Sequence, residues 1–184
     1  MKIVFCSSEV TPTMVEFCSE LNNICDATFL FYSPLTSRPG FWNQSKSSEH
    51  CYVAERSYEF YPGIYYSREI EQKCKDAEPD VVILGGILIP SNMNIYRWCL
   101  RKNIPVFIFS EPFGFSDSIF SRLQYFKSNT FKKLISQIYG KASGIFAIGQ
   151  AGEQDFSKIF AGTKIPVIKT QYPVLISEHL QHIP

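Results

Sequence analysis

Several apolar runs in this sequence end on residues able to do chemistry. Residues 105–110 read PVFIFS, and Glu111 and Pro112 follow at once. A carboxylate at the mouth of a buried strand can hydrogen-bond a substrate hydroxyl or, with its pKa raised, take the proton; a solvated turn is the plain alternative. Residues 2–7, KIVFCS, run into Ser7, Ser8 and Glu9, two hydroxyls and a second carboxylate. Residues 80–86, DVVILGG, close on Gly85 and Gly86, which either admit a ligand to the backbone or only allow a tight strand exit. Residues 143–149, SGIFAIG, lead into Gly149 and Gln150, ahead of a helix whose first amides either hold an anion or simply start the helix.

The missing motifs narrow the chemistry. No GxGxxG follows the first run, where SSEVTP stands instead, and no GxxxxGK[ST], GxSxG or DxD occurs. No histidine stands at a strand mouth to act as a base. Cys6, Cys18, Cys25, Cys51, Cys74 and Cys99 form no CxxC pair, so free thiols in a reducing cytoplasm are expected, with no metal site and no cofactor. The net charge of +1, from 18 basic and 17 acidic residues, gives no general pull toward nucleic acid. MKIVFC meets polar residues too soon for a signal peptide. The longest apolar run, VVILGGILIP, is about half the length that spans a bilayer.

These residues need elements to position them. Strands are expected over 2–7, 27–33, 80–86, 104–110, 143–149 and 165–170. Helices are expected over 11–23, 67–77, 91–103, 119–141 and 153–161. Thr11 or Thr13 with Pro12, and Ser67, are the helix-start signals. Continuous apolar strands separated by helices predict a single α/β domain, doubly wound, with a mainly parallel sheet, helices on both faces and a Rossmann-like plan. It covers 1–172, and 173–184 form a crossover or tail. In such a sheet ligands bind beyond the carboxyl ends of the strands. That rule gathers Ser7, Ser8, Glu9, Arg38, Gly85, Gly86, Ser110, Glu111, Gly149 and Gln150 on one rim.

Two stretches stand out. Residues 34–57 are polar, carry Pro34, Pro39 and Gly40, and hold Phe41 and Trp42, so they read as a lid or a loosely ordered loop. In 119–141 the inward stripe is Phe120, Leu123, Phe131, Leu134, Ile135 and Ile138, with Arg122, Lys132 and Lys133 opposite. Tyr125, Phe126 and Tyr139 fall off that stripe. With the basic residues they either face water or rest on an anionic membrane surface.

Taken together, EPDVVILGG, RKNIPVFIFSEP, the stretch from RLQYFKSNTF through FAIGQAGEQDF, and IPVIKTQYPV follow one known order and spacing. Residues 78–174 resemble the N-terminal domain of family 4 retaining glycosyltransferases of the GT-B fold, nearest to bacterial enzymes of surface-polysaccharide synthesis. The resemblance implies an acceptor-binding half that faces a second domain holding the nucleotide-sugar donor, in the same or another chain. Glu111, with Ser110, lines the acceptor side; Gly149 and Gln150 face the donor; Tyr172, Pro173 and Val174 begin the crossover. The resemblance further implies a sugar or lipid-linked acceptor, and the protein is expected to be cytoplasmic or peripheral at the inner membrane face. Two departures stand against this pattern. The first loop lacks the glycine pair of many members, and no Glu-x7-Glu pattern occurs. The 184 residues alone are then expected to be inactive, with an apolar tail (Val174, Leu175, Ile176, Leu180, Ile183) that frays or drives dimerisation. The alternatives are a stand-alone flavodoxin-like module for a small ligand or a protein, and a membrane-proximal acceptor subunit of a split transferase.

Overall fold

The computed structural model describes residues 1–33, 50–61, 64–112 and 129–171. Along the chain run β1 (Lys2–Glu9), α1 (Pro12–Asn22), β2 (Asp26–Ser33), β3 (Cys51–Val53), β4 (Tyr58–Tyr61) and β5 (Ile64–Tyr66). There follow α2 (Arg68–Asp76), β6 (Val81–Gly85), α3 (Pro90–Lys102), β7 (Val106–Ser110), α4 (Asn129–Tyr139), β8 (Gly144–Ile148), α5 (Gly149–Ile159) and β9 (Val167–Thr170). Seven strands form one sheet in the order β3-β2-β1-β6-β7-β8-β9, and every neighbouring pair is parallel. The chain builds outward from β1 to β3, then returns to the other side of β1 and builds outward again to β9. This is the doubly wound, Rossmann-like plan expected from the continuous apolar strands. Strands β4 and β5 stand apart as an antiparallel hairpin.

The two sheet faces bury different chemistry. One carries aliphatic side chains and thiols, among them Val4, Cys6, Leu84, Ile108 and Ile145. It is covered by α2 through Ile70 and Cys74, by α3 through Ile95 and Cys99, by α4 through Phe131 and Ile135, and by α5 through Phe156. The other face is built of rings. Phe5 stacks on Phe29 at 5.2 Å, and Phe17 of α1 meets Phe29 edge-on at 5.7 Å. Such pairs add about 0.5–1.5 kcal/mol each beyond their buried area. Met14 and Cys18 of α1 complete that cluster.

Local chemistry sets the helix ends. The Thr11 hydroxyl accepts the Met14 N–H at 3.2 Å, with Pro12 beginning α1. The Ser67 hydroxyl accepts the Ile70 N–H at 3.3 Å and starts α2, whose first turn carries Glu69 and Glu71 and whose last carries Lys73 and Lys75. That charge order matches the helix dipole. Asn103, in the left-handed region at φ 57°, ends α3.

Several expectations are corrected. The polar stretch 34–57 is not loop throughout: Cys51–Val53 is an edge strand paired with β2, and Cys51 is buried. The β4–β5 hairpin had no counterpart in the expected elements. Helix α5 begins at Gly149 rather than at residue 153, so Gly149 and Gln150 belong to its first turn. Of the expected helix 119–141, α4 supplies Asn129–Tyr139; Phe120, Arg122, Leu123, Tyr125 and Phe126 lie outside the described residues, as do Arg38, Phe41, Trp42 and the tail from 172. Tyr139 is core, 1% exposed, whereas Leu134 is 43% exposed. The buried stripe runs Phe131, Ile135, Tyr139, four residues apart at each step, which takes Tyr139 out of any membrane-facing role. Among the described residues no helix is long and apolar enough to cross a membrane.

Candidate functional site at the carboxyl rim

The strand order reverses at β1, so the switch point, where doubly wound sheets form their ligand crevice, falls between the carboxyl ends of β1 and β6. Ser7 and Ser8 stand on its β1 side, half-buried. The backbone of Glu9 pairs with Ser33 of β2, one strand away from β6. Gly85 packs directly against β1: a Cβ there would lie 3.0 Å from the Cys6 carbonyl oxygen and 3.3 Å from Ser7 Cα, tight enough that the β1 backbone would have to give by a few tenths of an ångström. Gly86 follows at φ 88°, the left-handed region that glycine enters without penalty.

The polar groups of this glycine turn point inward. Asn92, fully buried at the start of α3, donates from Nδ2 to the Gly85 carbonyl at 2.8 Å and to the Gly86 carbonyl at 3.0 Å. Its Oδ1 accepts the Tyr32 hydroxyl at 2.7 Å. The Gly86 N–H donates to the Phe109 carbonyl at 2.9 Å, and the Tyr139 hydroxyl to the Ile87 carbonyl at 2.5 Å. Burial raises the pKa of both tyrosines well above the phenol range, keeping them protonated donors. The glycine pair is therefore a tight strand exit whose carbonyls and Gly86 amide are already engaged. What it offers a ligand is shape.

Glu111 is the first residue past β7. Phe109 sits opposite Gly85 on one side, Ser110 opposite Ala147 on the other, and Glu111 is half-buried beyond them. The Ser110 hydroxyl donates to the Glu111 carbonyl at 3.1 Å. Pro112 then lies against the first turn of α5: a Cβ on Gly152 would stand 3.5 Å from Pro112 Cδ. Gly149 has φ 70° and open space where a Cβ would project, and Gln150 is exposed. No side chain caps this helix start. At roughly 4.8 Å per strand, Ser110 is about 10 Å and Gly149 about 15 Å along the rim from Ser7. The structure thus puts Ser7, Ser8, Glu9, Gly85, Gly86, Ser110, Glu111, Gly149 and Gln150 on one edge of the sheet, with Glu111 next to the Pro112 that packs on α5. Arg38 lies outside the described residues. Among the described residues no three His, Cys, Asp or Glu side chains are grouped to hold a metal ion.

A second concavity on the same rim escaped the sequence reading. Beyond β3, between the hairpin and the start of α2, lies a cleft of about 690 Å³ lined by Glu55, Arg56, Tyr58, Tyr66, Arg68 and Glu69. Its floor is tied down firmly. One oxygen of Glu69 accepts the backbone N–H groups of Glu55 and Arg56, each at 3.1 Å, and the other accepts the Tyr52 hydroxyl. The Ser67 hydroxyl donates to the Arg56 carbonyl at 2.9 Å, and the Ser67 N–H donates to Ser91 Oγ at 2.8 Å. Arg68 donates from Nε to the Tyr66 hydroxyl at 3.2 Å, which raises the pKa of its guanidinium further.

No family model and no curated protein matches this sequence. Solved structures do match in shape. UGT2 of Phytolacca americana, in complex with UDP-2-fluoro-glucose and pterostilbene, superposes with a TM-score of 0.51 at 11% identity over 100% of this chain and 57% of its own. Its apo form gives 0.51 at 13% identity over 98% of this chain and 53% of its own. The chain thus spans little more than half the length of the proteins it matches. It shares the fold of one half of a UDP-glycosyltransferase. The likeness to family 4 in particular rests on the quoted segments alone.

Proposed function

We propose that this chain is the acceptor-side half of a glycosyltransferase, working opposite a second lobe, in the same or another chain, that binds the nucleotide-sugar donor. The observation that supports this most directly is the rim itself. Glu111 follows β7 beside the open, uncapped start of α5, and the inner crevice offers backbone shape and small side chains. The half-length likeness to UGT2 agrees with it. In this reading Ser7, Ser8, Glu9, Arg38 and Ser110 border the acceptor, and Gly149 and Gln150 face the donor. Glu111 orients the acceptor hydroxyl by hydrogen bonding. The retaining, surface-polysaccharide type is the finer form of the proposal, carried by the resemblance of 78–174. Holding both substrates in line is a large part of such catalysis, so the 184-residue chain alone turns over little or nothing.

The test is Glu111→Gln in the enzyme assembled with its donor lobe. Loss of a charge-assisted hydrogen bond to the acceptor lowers turnover roughly 10- to 100-fold, with the donor KM unchanged. Unchanged turnover removes Glu111 from the site.

A further inference from the structure

The outer cleft has a composition that no single simple ligand class explains. It holds two guanidiniums, two phenol rings and two carboxylates. Glu69 is committed inward, bonded to Tyr52 and to two backbone amides. Arg68 uses Nε on the Tyr66 hydroxyl, which leaves its terminal N–H groups for a ligand. The side chain of Arg56 has no partner among the described residues, while its backbone N–H and carbonyl are both held, so the root of that side chain is fixed. Tyr58 is 70% exposed and offers a ring face.

We propose that this cleft binds an anionic sugar, a saccharide ring bearing a phosphate or a carboxylate. The anion takes Arg56 and Arg68, whose forked donors suit either group. The ring's C–H face lies on Tyr58 or Tyr66, and its hydroxyls bond to the exposed carboxylate of Glu55. A free anion has no use for Glu55, and a neutral sugar has none for two arginines. The volume, about 690 Å³, admits more than one sugar ring. The residues of the cleft follow β3, which lies two strands from β1 in the sheet. An acceptor long enough to cross those strands, anchored in the outer cleft by its charged residue, would present a further ring at Ser7. Naming this sugar as the acceptor rests on the function proposed above; its binding does not.

The test is equilibrium binding to the 184-residue chain at low salt, without any donor lobe, using glucose 1-phosphate, glucuronate, glucose and inorganic phosphate. Glucose 1-phosphate or glucuronate should bind at least tenfold more tightly than glucose and than inorganic phosphate, and whichever wins identifies the anion. Arg68→Gln and Arg56→Gln, both at exposed residues, should each weaken that binding roughly tenfold or more. Inorganic phosphate binding as well as the sugar phosphate, glucose binding as well as either anion, or an Arg68→Gln variant that binds normally overturns the proposal. So does the absence of any change at Tyr58 and Tyr66 at millimolar ligand. Because no transfer is measured, failure here leaves the Glu111→Gln test standing, and failure there leaves this binding intact.

Discussion

The inner crevice and the outer cleft share one sheet edge but are built in opposite ways. At the crevice the backbone makes the surface. Gly85 touches β1, Gly86 turns the chain, and Asn92, Tyr32 and Tyr139 engage the turn from beneath. At the outer cleft the backbone is the frame and side chains make the surface, with Ser67, Ser91 and Glu69 bracing the segments on either side of a hairpin, which display Arg56 and Arg68 beside its tyrosines. A surface of backbone shape holds a group in position and selects little. A surface of guanidiniums and rings selects by chemistry and tolerates some movement.

The largest expected effect tests the first half of that contrast. Asn92→Ala leaves the Gly85 and Gly86 carbonyls and the Tyr32 hydroxyl without this partner, two of the contacts buried and the one to Gly86 part-buried. At about 1–3 kcal/mol for each stranded group, with partial rescue by water, unfolding free energy should fall by about 3–5 kcal/mol in urea titration. Ser91→Ala, which removes one hydroxyl beneath the outer cleft, should cost about 1–2 kcal/mol. Equal losses would mean that the two regions are braced alike.

Alkaline pH should weaken the core beneath the crevice. Burial pushes the Cys99 thiol up to about 12, from an ordinary 9.0, and raises the Tyr32 and Tyr139 phenols. The Cys6 thiol is raised by its hydrogen bond with Cys74 and then by burial. These groups keep protons in the folded state that the unfolded chain releases. Their contribution is complete below the unfolded pKa and is lost as pH rises from about 9 toward 12, at up to about 1.4 kcal/mol per pH unit for each group. Urea midpoints measured from pH 8 to 11 should fall progressively. Cys99→Ala should flatten the slope by about one group's share. A flat profile would show that the thiols and phenols of this face meet water.

How much of this was legible follows the same division. The inner rim could be read because β1, β6, β7 and β8 are continuous apolar runs, each ending in a small or charged residue at the strand mouth. Even there, the reason for Gly85 is a contact with Ser7 of another strand, which no local pattern contains. Tyr139 was misplaced because Leu134 fits a helical stripe as well as Phe131 and Ile135 do. Long-range contacts fix which side is inward, among them the Ile87 carbonyl, fifty-two positions away, and the Tyr96 ring. The outer cleft was not legible at all. Its edge strand has three residues, and Glu55 reaches Glu69 across fourteen positions through a hairpin on which Tyr58 and Phe60 face outward while Tyr65 is buried, so its rings give no consistent core signal. The run YEFY, the Pro62-Gly63 dipeptide and the run IYY were the available cue for a hairpin.

The smallest expected effect sharpens the second half of the contrast. Tyr58 and Phe60 are each 70% exposed on β4, but only Tyr58 lines the cleft. Replacing either with serine should change stability by no more than about 0.5 kcal/mol, because little apolar area leaves the core in either case. The two variants should then part in binding. Tyr58→Ser should weaken the sugar phosphate several-fold by removing a stacking face, and Phe60→Ser should leave it unchanged. If both variants destabilise the chain by more than about 1 kcal/mol, the exposed rings belong to the hairpin's own support, and the outer cleft is then a by-product of how β4 is held rather than a surface built to select.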